Sequence, residues 1–141
     1  MRKLLWLLPI VFLCGCSDPY GASVKAGATI AASITQGMNT VAQLETQGLM
    51  TPTEAGNVLG YLEFANKQDE AFINCATAAH TAGGVKGSYT ACTTDFAATL
   101  SNPQELALIH VVNPTAQTNV ETIANAISAG VAAIKAALGG D

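Results

Sequence analysis

Side chains able to do chemistry are sparse in this sequence. The histidines are His80 and His110, and the cysteines are Cys14, Cys16, Cys75 and Cys92. Neither histidine has another four residues away, so the helical zinc pair is missing. Cys75 and His80 are five residues apart, about 140° around a helix, and do not share a face. Ser88 and Ser101 lack the Gly-x-Ser-x-Gly setting of a strained nucleophile. Gly83-Gly84 is not followed by Lys-Ser/Thr, so it reads as a turn and not a phosphate loop. Cys75 and Cys92 lack the Cys-x-x-Cys spacing of a redox or metal pair. The expectation is a chain with no catalytic residues, no metal and no cofactor, and hence not an enzyme. A site assembled from scattered Asp, Thr and Asn would escape this reading. His80 is expected at a helix end, where a cation suits the dipole. His110, set among apolar residues, is expected to be partly buried and hydrogen-bonded. Among the acids, Glu63, Asp69 and Glu70 share one helical stretch. Asp69 lies near its apolar stripe, between Ala65 and Phe72. It is either a buried functional carboxylate, the point where the stripe meets solvent, or an acceptor for a neighbouring helix.

The N-terminus decides where such a chain works. The stretch Leu4–Cys14 is apolar apart from Pro9. As a helix it would be about 16 Å long, against about 30 Å for a bilayer core. Arg2 and Lys3 precede it and small residues follow, which is the layout of a secretory signal peptide. The segment Leu13-Cys14-Gly15-Cys16 resembles the lipobox of bacterial lipoproteins: Leu, a small residue, Gly or Ala, then Cys. Cys14 stands where Ala, Ser or Thr is more usual, a minor departure. The resemblance covers about the first sixteen residues. It implies a diacylglyceryl thioether and acylation at Cys16, with cleavage just before it. Two or more acyl chains hold stably to a membrane. Ser17, where an Asp would favour inner-membrane retention, leans toward the outer membrane facing the periplasm.

Residues 1–15 then form a signal peptide, 16–23 a lipidated tether, and 24–141 the folded domain. Cleavage leaves Lys25, Lys67, Lys86 and Lys135 against ten acids, and no arginine. No basic face remains to neutralise phosphates, so nucleic acid is excluded as a partner. An acidic body is expected to stand off the membrane on residues 17–23, whose maximal reach is about 25 Å. Export to an oxidising space predicts a disulfide between Cys75 and Cys92.

Half of the residues are hydrophobic but only 6% are aromatic; alanine, the best helix former, carries much of the difference. Apolar residues from Ile30 through Ile34, Met38, Val41 and Leu44 recur at three- and four-residue steps, which predicts a helix over 24–47. Thr51, Pro52 and Glu54 form a start signal with a capping box, opening a helix to about residue 80. Tyr89, Cys92, Phe96 and Leu100 predict a helix over 88–100 after the glycine turn at 83–87. Asn102-Pro103 opens a short helix with Leu106 and Ile109, and Asn113-Pro114 opens the last, to about Leu138. No segment shows convincing strand alternation. The prediction is an all-α bundle of three long and about two short helices, stapled by a disulfide.

Two functional classes fit. One is a membrane-anchored envelope lipoprotein with a non-catalytic role, contacting an envelope protein, the cell wall or a second copy of itself. A lysis lipoprotein of the phage spanin kind is a narrower form, although those are often shorter and richer in proline. The other is a helical carrier holding a small ligand between its helices.

Overall fold

The computed structural model describes residues 18–100 and 110–138. They form four helices: α1 (Pro19–Thr46), α2 (Pro52–Thr81), α3 (Lys86–Leu100) and α4 (Pro114–Leu138). The described residues contain no strand, so the fold they make is all-α. The three long helices are α1, α2 and α4, of 28, 30 and 25 residues. The short one is α3, of 15 residues. The second short helix, expected from Asn102 to Ile109, falls outside the described residues, which hold four helices against the five expected of the chain.

Each start is set by local chemistry. The Thr51 side chain accepts from Glu54 N, while a Glu54 carboxylate oxygen accepts from Thr51 N at 2.7 Å. This reciprocal box satisfies two amides that a helix start leaves unpaired. Asn113 Oδ1 accepts from Thr115 N and Ala116 N at the start of α4. The surprise is α1. Asp18 accepts from Tyr20 N at 3.1 Å and Pro19 occupies the first turn. Residues 19–23 are therefore helix, not tether, and the domain begins five residues before the expected position 24. Proline supplies a helical φ and lacks only an amide the first turn does not use. At the far end, Gly48 takes φ +70° and Leu49 N donates to Leu44 O, which closes α1 with a residue that tolerates the left-handed region.

The helices run alternately up and down. Gly37 of α1 lies against Leu62 of α2 and Ile123 of α4, and Ile30 against Gly130, so both α2 and α4 run antiparallel to α1. Helix α3 packs on α2 and α4 and closes the bundle on the side away from α1. The core is mostly aliphatic, with Ile30, Ile34, Val41, Leu62, Ile127, Ile134 and Leu138 buried, and Tyr61, Phe72, Tyr89 and Phe96 add aromatic rings to it. Helix α4 is long and apolar enough by composition to cross a membrane, and its larger residues Val120, Ile127, Val131, Ile134 and Leu138 are turned into this core.

Close approach at α1–α4 depends on a missing side chain. A Cβ at Gly130 would stand 2.5 Å from Cγ1 of the fully buried Ile30. Gly130→Val is therefore expected to cost about 1–3 kcal/mol by overpacking. Urea unfolding would show this as a lower midpoint with an unchanged slope.

Candidate functional site

The expected disulfide is present. Cys75 on α2 and Cys92 on α3 are bonded, with Cα atoms 5.8 Å apart, inside the range a bridge needs. It ties the last turns of α2 to α3 across the glycine turn. Cys92 is buried and Cys75 exposed. Beside the bridge, Phe72 stacks on Phe96 with ring centroids 5.1 Å apart.

One turn before Phe72 on α2 lies the feature that stands out chemically. Asp69 is only 4% exposed, so the stripe does not meet solvent there. Its Oδ1 has no hydrogen-bond partner among the described residues, so no neighbouring helix donates to that oxygen either. Across from it is Gly27 of α1, where an added Cβ would lie 3.3 Å from Oδ1. A backbone without a side chain lets the carboxyl group fit, but offers it no strong donor. Ser23, one turn before Gly27 on α1, is buried and gives its single proton to Pro19 O at 2.8 Å. Burial in this setting, reinforced by the charge of neighbouring Glu70, raises the Asp69 carboxyl to about 6. Glu70 itself accepts from Asn66 Nδ2 at 2.8 Å. A lone buried carboxyl of this kind can take up and release a proton near neutrality. No cluster of three His, Cys, Asp or Glu able to hold a metal occurs among the described residues.

A second group gathers at the end of the bundle where α1 starts. The Tyr20 ring of α1 stacks on His80 of α2, centroids 4.1 Å apart and planes within 13°. Tyr89 of α3 brings its hydroxyl to 3.4 Å from His80 Nδ1. Burial, then the charge of Asp18 and the nearby Tyr20 hydroxyl, push the Tyr89 phenol upward. The group joins the starts of α1 and α3 to the end of α2. His80 thus stands near the end of α2, as expected, with aromatic partners that sequence spacing did not reveal. His110 is exposed, contrary to the expectation of partial burial: the chain before α4 turns it outward, while Val111 packs on the core. At the opposite end, Glu54 Oε1 accepts from Val112 N at 2.7 Å. With the capping bonds to Thr51, this contact holds the Glu54 carboxyl below its ordinary range.

Of the residues singled out by sequence, Cys75 and Cys92 are brought together, while Cys14, Cys16 and Ser101 lie outside the described residues. Asp69 and His80 lie on one helix but belong to separate groups. Comparison with models of known protein families, with curated proteins and with solved structures finds no match to this chain.

Proposed function

We propose that this chain is a bacterial envelope lipoprotein, anchored to a membrane through acyl chains on Cys16, with a non-catalytic structural or protein-contact role. The observation that carries this reading is the sequence Leu13-Cys14-Gly15-Cys16 behind a basic start and a short apolar run. Two features of the folded domain support it. The Cys75–Cys92 bridge suits an oxidising compartment outside the cytosol. The bundle begins at Pro19, immediately behind the proposed first residue of the mature chain, as befits a domain presented on a lipid.

The test is the intact mass of protein extracted from membranes. The expected mass lacks residues 1–15 and carries acyl groups. Cys16→Ala is expected to abolish acylation and move the protein out of the membrane fraction. An unmodified mass for the natural chain would overturn the anchor. In-cell cross-linking of the tagged protein, beside Cys16→Ala, then addresses the role: a stoichiometric envelope partner lost in the variant supports protein contact.

A further inference from the structure

We infer that the end of the bundle carrying the α2–α3 turn rests directly on the membrane, with Val85 at the lipid interface and the bundle axis directed away from it. The inference rests on the proposed anchor at Cys16 and adds which surface meets the lipid.

Three observations carry it. The first is reach. Only Ser17 and Asp18 stand between Cys16 and Pro19, and Asp18 already caps α1. Three Cα steps of about 3.8 Å allow at most about 11 Å between Cys16 and the start of the helix. An anchor that short draws the N-terminal end of α1 to the bilayer, so the long tether and the stand-off expected from it do not apply.

The second is what lies beside the start of α1. The stack of Tyr20 on His80 and the contact of Tyr89 with His80 hold the α2–α3 turn next to the first turn of α1. At the tip of that turn Val85 is 67% exposed, and Ala82 and Gly83 are also exposed. This places an apolar side chain at the level where the acyl chains enter the membrane.

The third is charge. Lys86 opens α3 beside Val85, and Lys25 lies between one and two turns into α1. Gly130 packs on Ile30 in the antiparallel α4, so Lys135 is level with about Lys25. Three of the four lysines that follow Cys16 are thus exposed in this part of the bundle. The described acids there are Asp18, Asp95, the exposed Glu70 and the buried Asp69, the last two level with about Gly27 of α1. Glu45, Glu54, Glu63 and Glu121 lie in the half remote from the anchor, where their charge is kept from anionic headgroups. A chain that is acidic overall therefore brings exposed charges close to balance at this end, which removes most of the repulsion from anionic headgroups.

Trp6 is the only tryptophan in the sequence and lies within residues 1–15, so the cleaved protein offers a dark background. Val85→Trp and Val112→Trp place single probes at opposite ends, both at exposed positions. Each acylated full chain is reconstituted in phosphatidylglycerol–phosphatidylethanolamine vesicles with brominated acyl chains, and its mass is taken from the same sample. Seating at the headgroup–acyl boundary is expected to quench Val85→Trp emission about twofold and leave Val112→Trp unchanged. Acylated protein with Val85→Trp unquenched, or with Val112→Trp quenched in its place, overturns the inference and leaves the anchor standing. A mass without acyl groups overturns the anchor, and the inference with it.

Discussion

At pH 8, Asp69→Asn is expected to be more stable than the natural chain, by about 2 kcal/mol, and the advantage is expected to vanish near pH 4. The folded-state carboxyl titrates at about 6 against an ordinary value of 3.8, so the native state holds its proton more tightly than the unfolded chain. The difference corresponds to about 3 kcal/mol at most, and solvent near Glu70 reduces it to about 2. The sign follows from the direction of the shift. Below about pH 4 both states are protonated and Asp69 costs nothing in charge. As pH rises from there, the unfolded chain ionises first and stability falls. Above about pH 6 to 7 the native state holds a carboxylate whose Oδ1 faces Gly27 without a donor, and the loss is complete. Asparagine has the same shape and no charge to desolvate, so its unfolding free energy is expected to be flat over this window apart from other groups. Urea titrations at pH 4, 6 and 8 check this. Parallel curves for the two proteins would show that Asp69 ionises in the folded protein as freely as in water.

Replacing Cys75 and Cys92 together by serine is expected to destabilise the bundle by about 3 kcal/mol, the loop-closure entropy of a cross-link of this span. The separation is 17 residues. The loss is concentrated at one end, because the bridge joins α2 to the shortest helix, and α3 buries fewer large side chains than its neighbours: Tyr89, Phe96 and the Cys92 position itself. A thermal midpoint lowered by about 10 °C is the expected reading for a domain of this size. Reductant is expected to reproduce the shift in the natural chain and to leave the double variant unmoved. Hydrogen exchange would localise the effect, with amides of α3 losing protection before those of α1 and α4. Uniform loss across all four helices would mean that α3 unfolds only with the whole bundle.

Both effects turn on features that differ in how they could be read. The cysteine pair was legible, because export favours pairing and, with Cys16 proposed as acylated, no other free thiol is expected in the cleaved chain. The helices were legible because caps and periodicity are local. Thr51-Pro52-x-Glu54 and Asn113-Pro114 each place a side-chain acceptor and a proline where a helix starts. Asp18-Pro19 carries the same signal. It was obscured because Gly21 and Ser23 interrupt the apolar period, leaving α1 without a stripe until Val24. The structure carries helix α1 to within three residues of Cys16, where composition had suggested a tether.

The positions of Asp69, Tyr20, Tyr89 and Val85 were a different matter. Periodicity places Asp69 beside a stripe, but whether an aspartate there meets water depends on how near the next helix comes. That distance is set by Gly27, forty-two residues earlier, whose missing side chain lets α1 press onto the carboxyl group. His80 reads as a helix end in isolation, and its stacking on Tyr20 exists only because α1 and α2 are antiparallel with a register fixed by contacts such as Gly37 on Leu62. The balance of charge at one end follows from the same up-and-down order, which brings Lys25, Lys86 and Lys135 to one level from three separate helices, beside Asp18, Glu70 and Asp95. The sequence by itself determined the proposed address, the helical class, the capped starts of the helices and the disulfide, all consequences of neighbours within a few residues or of compartment chemistry. Tertiary structure alone decided which carboxylate is buried, which rings meet and which end bears the lysines, because each depends on the distance and register between helices remote in the chain.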